Sequence, residues 1–157
     1  MIEQIYNYFT TEMLYLWVNT GVLPFWLLII FFPQSHLCRF FAVSIIPIFL
    51  LSAVYVFVLY KAYFNSFDFI ENFNLYLGLS YVSELFQNEF YLLMFWIHFV
   101  SVNLFIGGWI LKDSQKFQVN KFLLAFPLVI TYLIGPIGIF VYWILRIFYA
   151  KRINLYD

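Results

Sequence analysis

The chain has 157 residues, of which 65% are hydrophobic and only 10% are charged, whereas a soluble domain carries about 25% charged residues. This composition excludes an ordinary soluble domain. The formal net charge is zero, which gives no reason to expect a nucleic-acid partner.

The charged residues leave four uncharged segments of at least 21 residues each. About 20 apolar residues in a helix cross the hydrocarbon of a bilayer. We therefore predict an all-α fold, a bundle of four transmembrane helices that forms one domain over residues 1–157. The predicted spans lie at about 12–32, 37–63, 90–111 and 122–149.

The longest connection, Asn65–Asn88, separates the second and third spans and contains acidic residues but no Lys or Arg. Leu75, Leu79, Val82 and Phe86 repeat in it at helical spacing. This pattern predicts a short amphipathic helix that lies on the membrane face or caps the bundle.

The last predicted span contains Pro127 and the run Gly135-Pro136-Ile137-Gly138. Proline removes a backbone donor and crowds the preceding turn, and glycine allows a neighbouring backbone to come close. We expect both places to interrupt the helix.

An even number of spans puts both termini and the long connection on one side of the membrane. That side then holds Lys61, Arg146, Lys151 and Arg152. The opposite side holds Arg39, Lys112, Lys116 and Lys121. Four cations against four leave the orientation undecided by the positive-inside rule.

The first twelve residues hold two glutamates and no Lys or Arg, unlike a signal peptide, which opens with positive charge. We expect the first span to act as the insertion signal. The predicted location is a bacterial inner membrane, with a plastid membrane as the alternative.

His98 is the only ionisable residue deep in a predicted span. It could act as a general acid or base, or it could be a neutral histidine hydrogen-bonded between helices. No second ligand of a suitable kind lies nearby in the sequence, so we expect no metal site.

Two faces of the third span carry the other notable side chains. At 100° per residue, His98, Phe105 and Trp109 fall on one face, and Trp96 and Asn103 fall on another. We expect both faces to be buried, as in a helix central to a bundle. Asn103 is either a hydrogen-bonding link between helices or a ligand contact.

Two blocks of residues resemble the neoxanthin synthase-like family, that of the plant abscisic acid-deficient four protein and its small bacterial membrane relatives. The first block runs from Trp96 to Ile110 with Asp113, and is similar to W-x-H-x-x-x-x-D-L-F-x-G-x-W-x-x-x-D. The second holds Thr131, Gly135-Pro136, Gly138, Tyr142 and Arg146, and is similar to T-x-x-x-G-P-x-G-x-x-x-Y-x-x-x-R.

This resemblance implies a carotenoid-related or isoprenoid-related membrane protein. The plant members are required for making neoxanthin from violaxanthin, a redox-neutral isomerisation that opens an epoxide and removes a proton. It needs an acid, a base and an apolar tunnel, but no cofactor. His98 is then the implied catalytic residue. The implied ligand-binding residues are Trp96, Asn103, Phe105, Trp109, Tyr132 and Arg146.

The chain departs from the family pattern at two positions, with Asn103 in place of Asp and Gly108 in place of Arg. These departures leave open whether the chain is an enzyme of the carotenoid isomerase type or binds an isoprenoid without converting it. Arg146 could instead extend to the headgroups from the end of its span.

The alternative function is a non-catalytic accessory subunit packed within a larger membrane complex. The expected partners are the lipid bilayer, a carotenoid, and other membrane proteins or a second copy of the chain.

Overall fold

The computed structural model describes residues 9–64, 73 and 76–151. All regular elements within these residues are helical, which confirms the predicted all-α class. The elements are α1 (Thr11–Phe31), a π-helical turn (Cys38–Ala42), α2 (Ile46–Phe64), α3 (Leu79–Leu85), α4 (Glu89–Lys116), α5 (Lys121–Leu133) and α6 (Gly135–Ala150).

Three segments are long and apolar enough to cross a membrane: Thr11–Phe31, Cys38–Phe64 and Glu89–Lys116. They correspond to the first three predicted spans. These segments expose large apolar side chains, such as Leu27, Phe49 and Phe105. An apolar surface of this kind is expected where a helix contacts lipid. The chain is therefore a membrane protein.

The fourth predicted span is not confirmed, because residues 122–149 form two helices separated at Ile134. The helices α5 and α6 contain 13 and 16 residues, or about 20 Å and about 24 Å of length at 1.5 Å per residue. Neither reaches the roughly 30 Å of a bilayer's hydrocarbon core. Ile134 breaks the helix with φ −143° and ψ 85°.

Pro127 lies inside α5 without ending it, so the predicted interruption there is wrong.

The register of α6 against α4 shows the direction in which α6 runs. Gly135, its first residue, lies against Asn103. Arg146, near its end, contacts Asp113. From Gly135 to Arg146, α6 advances by eleven residues, while α4 advances by ten residues from Asn103 to Asp113. The helix α6 therefore runs parallel to the C-terminal half of α4.

The turn between α5 and α6 is sharp. A side-chain Cβ at Gly138 would overlap the backbone of Thr131, although seven residues along a continuous helix span about 10 Å. Because α5 leads from the end of α4 to Gly135, which lies against Asn103 in the middle of α4, α5 runs back along α4, and α6 then returns. We refer to α5 and α6 as the hairpin.

The predicted helix between the second and third spans is present as α3, over seven residues. Leu85 is buried on it, whereas Leu79 is exposed. The predicted apolar face is therefore only partly in contact with protein. Leu75 lies outside the described residues.

The contacts divide the chain into two compact units, and α1, α2 and α4 each contribute residues to both. The first unit comprises Met1–Gly21 and Phe49–Phe99, and the second comprises Val22–Ile48 and Val100–Asp157. Because these helices belong to both units, one domain over 1–157 stays a prediction. All the polar and charged side chains that are buried in the described residues lie in the second unit: Asn103, Asp113, Ser114, Thr131 and Arg146.

Candidate functional site

A buried polar cluster joins α4 to α6 in the second unit. Arg146 donates from Nε to Oδ2 of Asp113 at 2.6 Å. Tyr142 donates its hydroxyl to the same oxygen at 2.7 Å. The two donors lie four residues apart on α6 and so share one helix face. We call Asp113, Tyr142 and Arg146 the polar cluster.

The polar cluster is closed off from water. Asp113 and Arg146 are each 4% exposed, and Tyr142 is fully buried. The guanidinium carbon of Arg146 also lies 4.9 Å from the ring centre of Phe117, a cation–π distance. Burying two opposite charges as a hydrogen-bonded pair avoids the much larger cost of an unpaired ion. Arg146 therefore faces inward and does not extend to the headgroups.

An apolar groove of about 410 Å³ lies along α4, within the same unit. Its volume falls in the range of small-molecule sites. We call it the α4 groove. Its lining residues come from α4 and from the chain between the end of the π-helical turn and the first residues of α2: Ala42, Val43, Ser44, Ile45, Ile48, Leu104, Phe105, Gly108, Trp109 and Lys112.

Two adjacent glycines show why the α4 groove is open. A Cβ at Gly107 would meet the indole of Trp26 at 2.7 Å and 2.8 Å, so that side of α4 is filled. A Cβ at Gly108 would meet only Cγ1 of Val43, at an ordinary 3.9 Å. The missing side chain at position 108 thus leaves space between α4 and the chain near Val43.

Trp109 connects the groove to the polar cluster. Its ring meets that of Tyr142 edge to face, with centroids 5.8 Å apart and planes at 89°. The Tyr142 hydroxyl is held by Asp113. The buried ion pair therefore supports one aromatic wall of the groove through Tyr142.

The structure brings two of the predicted ligand residues together at the α4 groove, Phe105 and Trp109. Tyr132 does not line it, since its ring packs against Trp26 with centroids 5.4 Å apart. Arg146 is engaged with Asp113 rather than with open space.

Asn103 is buried beside the turn of the hairpin. Its Nδ2 has no hydrogen-bond partner among the described residues, and its Oδ1 abuts Gly135. Position 103 lies 140° from position 108 around α4 at the helical 100° per residue. The two departures from the family pattern therefore belong to different sides of the helix.

Trp96 belongs to a separate cavity in the first unit. This cavity measures about 330 Å³ and is lined by Thr11, Glu12, Tyr15, Glu89, Leu92, Leu93 and Trp96. The indole of Trp96 donates to Oδ1 of Asn19 at 3.1 Å and packs against the ring of Tyr15. Trp96 does not line the α4 groove, and its role in ligand binding stays a prediction.

His98 is exposed in the described structure, and the prediction that its helix face is buried is wrong. Phe105, on the same face, is 66% exposed. His98 does not line the α4 groove. Its role in proton transfer stays a prediction.

Sequence reasoning did not place Asp113 and Tyr142 in the site. Both occur in the family-like blocks, but the blocks were not connected to each other. The available signal was one carboxylate and one guanidinium, each near an apolar span, with Tyr142 four residues from Arg146. Opposite charges of this kind in a membrane protein commonly pair.

Comparison with known proteins identifies the family. The family model described as ABA DEFICIENT 4-like matches residues 13–142. The chain belongs to the ABA DEFICIENT 4-like family. It is also similar to Protein ABA DEFICIENT 4, chloroplastic, of Arabidopsis thaliana, with 27% identity over an alignment of 110 residues that covers 65% of this chain.

The chain covers 47% of the length of that Arabidopsis protein, so it spans about half of the relative it matches. No solved structure matches the chain significantly. The match region includes the α4 groove and most of the hairpin, and ends at Tyr142. The family assignment therefore agrees with the resemblance seen in the two sequence blocks.

Proposed function

We propose that this membrane protein binds a carotenoid or another isoprenoid in the α4 groove. The observation that carries the proposal is the lining of the groove, in which aliphatic residues accompany Phe105 and Trp109, while Ser44 and Lys112 supply polar atoms. Apolar and aromatic walls with a few polar groups are typical of sites for largely apolar ligands. An amphipathic isoprenoid end group fits this chemistry.

The volume of the groove limits what it can hold. At about 410 Å³ it accommodates the end ring and the adjoining part of a polyene. The rest of such a ligand would lie along the exposed apolar side chains that face lipid. This arrangement supports recognition of an end group rather than enclosure of a whole carotenoid.

Binding without conversion has more support than isomerisation. Opening an epoxide and removing a proton requires an acid and a base close to the substrate. Lys112 is the only titratable group among the described residues that line the groove. His98 lies elsewhere, and Asn103 stands where the family pattern has a carboxylate.

The proposed location is a plastid membrane, the alternative given by the sequence. Its support is the name of the Arabidopsis relative, which places that protein in the chloroplast. The comparison gives no support to a bacterial inner membrane.

The test is purification from a carotenoid-producing host without added pigment, followed by a visible absorption spectrum. The wild-type protein is expected to carry pigment. Gly108→Leu should fill the groove and lower pigment occupancy about tenfold, the equivalent of ~1.4 kcal/mol of binding. Phe126→Leu is the control, because Phe126 is exposed on α5 and does not line the groove.

The outcomes separate the functions. A colourless wild-type protein that also fails to take up epoxy-carotenoids would rule out the proposal. Co-purification of another membrane protein in that case would favour an accessory subunit. Chromatography of an epoxy-carotenoid after incubation separates binding, which returns it unchanged, from isomerisation, which yields an allene.

A further inference from the structure

We propose that the chain crosses the membrane three times, with the hairpin entering and leaving on one side. We also propose that the basic residues gathered on that side form a surface for anionic lipid headgroups. The support comes from the contacts between α4 and α6 and from the positions of the charged residues. Neither part depends on the proposed function.

The depth of the hairpin follows from α4. Asn103 lies at the middle of Glu89–Lys116, and the first residue of α6 lies against it. The hairpin therefore turns near the middle of the membrane. Arg146 is back at the level of Asp113, three residues before α4 ends. Non-helical backbone at this depth is tolerated where its polar groups are satisfied within the protein. Those of Ile134 are, since its N–H donates to the Ile130 carbonyl and its own carbonyl accepts from the Gly138 N–H.

A hairpin of this kind changes the distribution of positive charge. With three crossings, Lys61 is on the side of the connection between α2 and α4. The other six cations of the described residues share the opposite side: Arg39, Lys112, Lys116, Lys121, Arg146 and Lys151. Arg152 directly follows Lys151 in the sequence and is counted with it, so three crossings put seven of the eight cations on one side. Four spans would divide the eight cations equally.

The acidic residues show the complementary distribution. Glu12, Glu84 and Glu89 are on the side of Lys61. Asp113 is on the opposite side, where its ion pair with Arg146 adds no net charge. An excess of Lys and Arg near the ends of the spans marks the side that is not translocated. The hairpin should therefore open toward the compartment from which the protein is inserted.

Five of these cations are free to meet headgroups. Arg39, Lys112, Lys116, Lys121 and Lys151 are exposed, and all lie in the second unit. We call them the basic face. Basic residues next to a membrane attract anionic lipids, so the basic face fits the acidic headgroups of its own leaflet.

The topology is tested by labelling single cysteines in intact cells of a bacterial expression host with a membrane-impermeant maleimide. Ser80→Cys, Gln118→Cys and Lys151→Cys are made in a Cys38→Ala chain, and wild type, whose Cys38 is buried, gives the background. Position 80 should be labelled in intact cells. Positions 118 and 151 should be labelled only after permeabilisation.

Any other labelling pattern contradicts either the hairpin or the proposed orientation. Labelling of 151 together with 80 would mean four crossings and would contradict the hairpin. Labelling of 118 and 151 in intact cells, or of all three positions to a similar extent, would contradict the orientation derived from charge.

The lipid surface is tested by the thermal shift of the purified protein on adding phosphatidylglycerol or phosphatidylcholine. Phosphatidylglycerol should raise the melting temperature more. Lys116→Gln/Lys121→Gln, which changes two residues outside the groove, should lose most of this difference, whereas Lys61→Gln should keep it. An equal response of the two variants would overturn the proposed surface.

Discussion

The two compact units bury different kinds of side chains, although each contains part of α1 and part of α4. In the described residues of the first unit, the buried side chains are apolar, for example Val18, Val58 and Ile97. The second unit buries an ion pair, a tyrosine hydroxyl, a threonine and an amide. His98, the only ionisable residue deep in a predicted span, therefore lies in the unit whose described buried side chains are all apolar.

The largest effect should come from breaking the ion pair of the second unit. Asp113→Asn leaves the Arg146 guanidinium buried without a counter-ion, which should cost about 3–5 kcal/mol of stability. The measurement is unfolding of the purified protein by a denaturing detergent. Asp113→Leu/Arg146→Met removes both charges and should recover part of the loss, since the buried Tyr142 hydroxyl still loses its acceptor. A double variant as unstable as Asp113→Asn would contradict the pairing.

Two neighbouring glycines sharpen the comparison within the second unit. Gly107→Ala should lose about 1–3 kcal/mol, because the new methyl group meets the rigid indole of Trp26. Gly108→Ala meets only ordinary contact and should be unchanged or stabilised by up to about 1 kcal/mol. Melting temperatures of the two variants, measured side by side, check this. Equal destabilisation would mean that the groove at Gly108 is filled.

Removing the tyrosine hydroxyl should have a smaller effect. Tyr142→Phe keeps the ring against Trp109 but loses one hydrogen bond to Asp113, which should cost about 1–2 kcal/mol. Because Tyr142 supports Trp109, the variant should also change the fluorescence of Trp109 in a chain whose other tryptophans are replaced by Phe. Unchanged stability and fluorescence would show that the hydroxyl does not fix this wall of the groove.

The smallest effect is expected at His98. The side chain is exposed, and the structure gives it no hydrogen bond with the described residues, so His98→Ala should change stability by less than about 0.5 kcal/mol. Pigment content should also be unchanged, because His98 does not line the groove. A large loss of stability would instead place His98 in an interface with another chain.

The helical class and the first three spans could be predicted because they depend on the length of apolar runs. The hairpin could not. The run Gly135-Pro136-Ile137-Gly138 predicts an interruption, but the size of the bend depends on contacts with Thr131 and Asn103. Those contacts join residues that are distant in sequence, and no local pattern specifies them.

The candidate site was predictable in part for a similar reason. Helical spacing correctly separated the face of His98 and Phe105 from that of Asn103. It could not say which face meets protein, because that depends on neighbouring helices. The pairing of Asp113 with Arg146 required knowing that α6 runs parallel to α4, which follows only from the hairpin.

The central claim is that the α4 groove binds the end group of a carotenoid or another isoprenoid, and its most direct measurement is photo-crosslinking from within the groove. A photoreactive phenylalanine analogue replaces Phe105 in one chain and Phe126, a similarly exposed residue on α5, in another. After irradiation with carotenoid in the membrane, mass spectrometry should find the pigment attached at position 105 and not at 126. Equal attachment at both positions, or none at 105, would contradict the account.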